Sequence, residues 1–173
     1  VLILLVPGGL AVVASLAKRW QRGGSSRSAD FDFDGFDVIA ACVDGLGDGS
    51  DKLVTVDVKP GSANYGKVIH SHSVGGRYEA HHGGFTDDRR QLWLCGLDGS
   101  KIFIFDVASD PAKPTLHKTI NDFVDKSGGV VGPHTTYALP GRMLVTGLSN
   151  HKDHGGETAM VEYTNEGEYI ATY

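Results

Sequence analysis

"KLVTVDV" at residues 52–58 and "KIFIFDV" at residues 101–107 are one pattern written twice. Each opens on a lysine, continues through β-branched or aromatic residues and closes on Asp-Val. Asp57 and Asp106 stand 49 residues apart. A second marker agrees: "CGL" at 95–97 returns as "TGL" at 146–148, with Gly96 and Gly147 separated by 51 residues. A third is a histidine, His82 or His134, placed 14 and 13 residues before those glycines.

The runs that carry these markers are short and alternate. They lie at 36–42, 52–58, 67–70, 91–95, 101–107, 142–146 and 158–163, and each is bounded by Gly, Asp, Asn, Ser or Pro. Such runs read as β-strands. Beyond Asp30 no stretch keeps helical spacing over three turns, and 119–127 is expected to form one short helical turn. A period near 50 made of short strands predicts an all-β chain of β-propeller blades, each a four-stranded sheet. Chance likeness between hairpins is the alternative, and three agreeing markers speak against it. Residues 36–173 supply under three blades, whereas closed propellers have about 4–8. The chain is therefore expected to be the N-terminal part of a longer protein.

Charge and composition narrow the function. Formal net charge is −5, but residues 1–30 hold four basic groups and one acid, which leaves 12 basic and 20 acidic residues for 31–173. A body that acidic excludes nucleic acid as the main partner, because phosphate binding needs a basic surface. Two cysteines, Cys42 and Cys95, are too few for a disulfide framework. Residues 1–35 divide into an apolar run, 1–17, and a Gly/Ser/Asp-rich linker; residues 36–173 are the propeller part. The apolar run is short for a membrane span, which takes about 20 residues. It is a candidate signal or anchor segment, which would place the protein in the periplasm or outside the cell, or at a membrane if it anchors. Otherwise a cytoplasmic location is expected.

"YEAHHGGF" at 78–85 holds the histidine pair, His81 and His82. Adjacent residues on a regular strand point to opposite faces. The pair is either a set of metal ligands or solvated strand-end residues. In a propeller the innermost strand of each blade lines the central channel, so His81, His82 and His134 would converge from neighbouring blades. A nitrogen-rich donor set suits copper or zinc, and copper stands highest in the divalent affinity series.

Four longer segments sharpen this. "DKLVTVDVKPGSANYGKVIHSH", "EAHHGGF", "GLDGSKIFIFDVASDPAKPTLHKTI" and "PHTTYALPGRMLVTGLSN" occur in this order. Together they resemble the selenium-binding protein / methanethiol oxidase family. The resemblance implies a propeller of seven blades, of which this chain covers roughly the first two-fifths. It implies oxidation of methanethiol by O₂ and water to formaldehyde, hydrogen sulfide and hydrogen peroxide, with a small-molecule thiol and O₂ as partners. It also implies copper held by His81, His82 and His134, with a further histidine beyond Tyr173. Two departures stand out. Animal members carry a cysteine, to which selenium binding is attributed, where this chain has Gly66, and a Cys-x-x-Cys where it has "TDDRRQ". Cys42 does match a family cysteine.

The remaining polar residues read more plainly. His70, His72 and His117 fit structural strand positions, and His151 and His154 lie in a polar loop. Cys95 is expected to pack as a small apolar group in a buried strand. Asp57 and Asp106 are expected to cap turns. Glu79 is either an orienting partner for a ligand imidazole or a solvated residue. The Gly-Gly pairs at 83–84, 128–129 and 155–156 do not lie between a strand and a helix, so they are not phosphate loops. Two functions remain: a copper-dependent thiol oxidase, or a propeller scaffold that binds metal, selenium or a protein partner without turnover.

Overall fold

The computed structural model describes the backbone of residues 2–6, 10–14, 36–41, 49–150 and 155–173, and side chains from 49 onward except those of 81 and 151–154. Strands follow one another in chain order and fall into three antiparallel meanders. The first holds β1 (Leu2–Val6), β2 (Leu10–Ala14), β3 (Phe36–Ala41), β4 (Lys52–Asp57) and β5 (Val68–Ser73). The second holds β6 (Ala80–Phe85), β7 (Gln91–Gly96), β8 (Lys101–Asp106) and β9 (Thr115–Ile120). The third holds β10 (Val130–Leu139), β11 (Arg142–Asn150), β12 (Met160–Thr164) and β13 (Tyr169–Thr172). The all-β expectation holds: the second and third meanders have the four strands expected of a propeller blade, and the first has five.

The apolar start of the chain contributes strands: β1 pairs with β2, and β2 pairs with β3 through Val12↔Ala41. Among the described residues no helix is long and apolar enough to cross a membrane. The helical turn expected over 119–127 is α1, Phe123–Ser127. It begins later than expected because residues 119 and 120 close β9. Gly128 ends it in left-handed backbone, φ 79.

The register supplies a repeat marker that the side chains conceal. Between the last two strands of each meander one extra residue stands in the outer strand: Ile69 against Thr55/Val56, His117 against Ile104/Phe105, and Ile170 against Glu162/Tyr163. A bulge at the same place in three sheets gives each the same added bend and twist.

Packing follows from stacking these sheets face to face. One core joins the first and second sheets through Leu53, Val74, Leu92, Leu94, Phe103 and Phe105. Another joins the second and third through Trp93, Cys95, Ile102, Ile104, Val145 and Tyr163. The second sheet is thus covered on both faces. Its strands β7 and β8 are apolar at alternate positions on both sides, which is why "QLWLC" and "KIFIF" read as nearly unbroken apolar runs.

Asp57 and Asp106 close their strands as expected. Asp57 accepts from the Lys59 amide at 2.9 Å and the Ser62 hydroxyl at 2.5 Å. Asp106 accepts from the amides of Ala108 and Ser109 at 2.9 and 3.1 Å, and from the Ser109 hydroxyl at 2.5 Å.

Candidate metal centre

The histidines lie on strands rather than before them. His81 and His82 belong to β6 and His134 to β10, the first strands of the second and third blades. Sequence reading missed both strands as elements, because "AHHGGF" and "GPHTTY" are glycine-rich and polar and carry no alternation.

Pairing between β6 and β7 explains how neighbouring histidines are arranged. Ala80 faces Gly96 and His82 faces Cys95, so His81 is an extra residue in the ladder. Between β10 and β11, Pro133 faces Gly147 and Thr136 faces Val145, which makes His134 and Thr135 share one position on the partner strand. Gly96 and Gly147 are equivalent in the repeat, so His134 corresponds to His81, and His82 to Thr135. A bulge interrupts the strict alternation of a strand and re-aims side chains, and bulges concentrate beside active sites.

His82 shares a face with its cross-strand neighbour Cys95, and Gly84 with Trp93; Cys95 and Trp93 pack toward the third blade. The half-buried His82 ring consequently meets His134, with centroids 3.9 Å apart and planes tilted by 45°. Gly84 allows the approach. A Cβ on Gly84 would overlap the Thr136 hydroxyl of β10, and one on Gly83 would stand 2.8 Å from the Trp93 carbonyl oxygen. The doublet after the histidines is a steric requirement of crowded inner strands. His134 Nδ1 lies 3.0 Å from the Thr135 hydroxyl, a contact that fixes the ring's orientation. Thr135 is itself tied to β11 by its amide, which donates to Thr146 Oγ1 at 3.2 Å.

The donor chemistry fits a bound ion. An imidazole nitrogen sits about 2.0–2.1 Å from an ion such as zinc, so two nitrogens sharing an ion lie within about 4 Å. The His82 and His134 rings, with centroids 3.9 Å apart, bring two imidazole donors together from neighbouring blades. The side chain of His81 lies outside the described residues, and among the described residues no group of three His, Cys, Asp or Glu side chains stands together.

The other candidates are placed elsewhere. His70 Nε2 is 3.2 Å from the Pro114 carbonyl oxygen on the outermost strand β5. His72, on the same strand, meets Phe105 edge to face at 5.5 Å. Burial, aided by His70, holds His72 below the usual histidine range. His117 fills the β9 bulge, 3.6 Å from a Glu166 carboxylate oxygen. Glu79 is exposed and precedes β6 in left-handed backbone, φ 52. Cys95 is buried as expected, and burial pushes its thiol up to about 12, so it is no thiolate at neutral pH. Cys42, His151 and His154 lie outside the described residues.

Residues 36–168 match the family described as 56kDa selenium binding protein (SBP56). The chain belongs to that family. Its relatives include a methanethiol oxidase of Ruegeria pomeroyi, 67% identical over 131 residues covering 76% of this chain and 30% of the relative. A methanethiol oxidase of Hyphomicrobium sp is 61% identical over 75% of this chain and 29% of its own length. The selenium-binding protein 2 of Arabidopsis thaliana is 34% identical over 65% of this chain. This chain thus spans about 30% of the length of the curated relatives it matches best among these. The X-ray structure of a hypothetical selenium-binding protein from Sulfolobus tokodaii superposes with a TM-score of 0.71 at 25% identity, over 80% of this chain and 34% of that one. The SBP56 family resemblance seen in the four sequence segments is therefore borne out.

Proposed function

We propose that the protein to which this chain belongs is a copper-dependent thiol oxidase of the methanethiol oxidase type, with His81, His82 and His134 as copper ligands contributed by two adjacent blades. The observation that carries this reading is the meeting of His82 and His134 across the blade boundary, centroids 3.9 Å apart. Two relatives above 60% identity named methanethiol oxidase support the reaction class. The reaction converts methanethiol, O₂ and water into formaldehyde, hydrogen sulfide and hydrogen peroxide, a balance in which O₂ is reduced and the carbon oxidised. When bound, copper would supply a Lewis acid for the substrate thiolate and a route for electrons to O₂.

The chain's own residues do the holding. Bulges set the ligands at the inner edge of each blade, Thr135 orients His134, and Gly84 lets the two inner strands close up. The competing scaffold reading, selenium or metal bound without turnover, needs accessible thiols for its selenium form. At the family's selenium-binding position stands Gly66, whose φ of 76 is a backbone that a cysteine rarely adopts. Among the described residues the cysteine, Cys95, is buried in the core.

Full-length protein, purified after expression with copper, should contain about one copper per chain and release peroxide from methanethiol under O₂. Copper-free protein that releases none would overturn the reading. Stoichiometric selenite uptake without turnover would favour the scaffold.

A further inference from the structure

The strand that carries His81 and His82 is held at its entry by a residue of the preceding blade. Asp51, directly before β4, is 1% exposed. Its Oδ2 accepts the amide of Tyr78 at 2.8 Å and that of Ala80 at 2.9 Å. Its own backbone is fixed as well: the Asp51 amide donates to the Gly76 carbonyl at 2.8 Å, and its carbonyl accepts from Val74 at 2.9 Å. Between the two clamped amides Glu79 is forced into left-handed backbone, φ 52. Ala80, fully buried, directly precedes His81. With Ala80 pinned opposite Gly96, the extra residue of the ladder falls on His81.

The device recurs one blade later. Ser100 stands 49 residues after Asp51, at the corresponding position directly before β8. Its hydroxyl accepts the amide of Gly132 at 3.1 Å. Gly132, φ 67, lies two residues before His134, as Glu79 lies two before His81. The following bulge again falls at the histidine. Two independent blades thus place an acceptor, a left-handed residue and a histidine in the same order.

We infer that Asp51 is a positioning residue for the His81–His82 arm of the metal centre, and that Ser100 does the same for the His134 arm. The inference rests on the metal reading proposed above. A carboxylate accepting two amides makes charge-assisted bonds, stronger than the single neutral bond of Ser100. The arm with two adjacent ligands thus has the stiffer clamp. Residues that orient metal ligands typically change metal affinity about 10–100-fold when removed.

The test uses full-length protein, with copper affinity measured by competition against a chelator and the copper(II) site read by electron paramagnetic resonance. Asp51→Ala should weaken copper binding at least tenfold and change the resonance parameters. Asp51→Asn, which keeps an acceptor oxygen, should restore affinity to within about threefold. Asp106→Ala, a turn cap at the other end of a blade strand, should leave the spectrum unchanged. Were Asp51→Ala not to fold, Ser100→Ala carries the test, with a weaker loss of about threefold and an altered spectrum. Wild-type affinity and spectrum in the folded Asp51→Ala or Ser100→Ala variants would overturn the clamp while leaving the metal site standing. A wild-type protein that binds no copper would overturn the site, and the clamp with it.

Discussion

Trp93 in the second blade and Leu144 in the third occupy the same place in the repeat, on the strand before each Gly-Leu pair. Trp93 faces Ile104 across its ladder, and Leu144 faces Glu162. Trp93 and Ile104 are fully buried against the third blade. The corresponding face of the third blade carries the Arg142–Glu162 ion pair at 2.6 Å, with the Tyr173 hydroxyl donating to the same carboxylate at 2.7 Å. Around it Leu148, Met160 and Tyr173 are 52, 39 and 71% exposed. The difference teaches that the repeat conserves backbone register while its cross-strand pairs change, from the apolar Trp93–Ile104 to Leu144–Glu162, which carries a carboxylate. Where a second sheet lies against both sides, both alternate positions turn apolar.

The strongest way to break that comparison is to empty the covered face. Trp93→Ala should cost about 3–5 kcal/mol in denaturant unfolding of the full-length protein, the range for large buried aromatics. Tyr65→Ala, at an exposed position in the turn between β4 and β5, should shift stability by no more than about 0.5 kcal/mol. Equal losses would mean that Trp93 is no better packed than an exposed side chain.

A middle-sized effect is expected where the blades meet at their inner edge. Gly84→Ala forces a Cβ into the Thr136 hydroxyl. Overpacking of this kind costs about 1–3 kcal/mol. The same variant should loosen copper, because β6 and β10 can no longer approach. Stability loss with unchanged copper affinity would separate the packing role of the glycine from the site.

These contrasts also mark what was legible in the sequence. β4, β7, β8 and β11 announce themselves through alternation and the Asp-Val and Gly-Leu markers, so the blade period could be counted. β6 and β10 could not be seen as strands, since crowding at the inner edge selects glycine, proline and polar residues over the alternating pattern. The histidine candidates were legible through their period and family resemblance. Their arrangement was not: a bulge is a property of pairing, and neither the extra residue at His81 nor the shared position of His134 and Thr135 leaves a compositional trace. Asp51 was equally silent, because its partners are backbone amides of another blade.

The smallest expected effect concerns the turn caps shared by the first two blades. The Ser62 hydroxyl, then the Lys59 amide, hold Asp57 below the ordinary carboxylate range. At Asp106 burial pushes upward, but the Ser109 hydroxyl and the amides of Ser109 and Ala108 outweigh it and hold the group low. A carboxyl lowered in the folded state adds stability above its unfolded value of about 3.9, and loses it as pH falls through the folded value. Melting temperature should therefore fall below about pH 4, and the Asp57→Asn and Asp106→Asn variants should each show a slightly flatter decline. Identical profiles for wild type and variants would show that the caps carry no pH dependence.

The central claim is that two adjacent blades share one ion, and copper content of full-length His134→Ala tests it most directly. If His81, His82 and His134 ligate together, removing the third blade's contribution should release most of the copper, as ligands of one ion act as a unit. His117→Ala, in the outer bulge, should keep about one copper per chain under the same purification. Full copper in His134→Ala would contradict the shared centre.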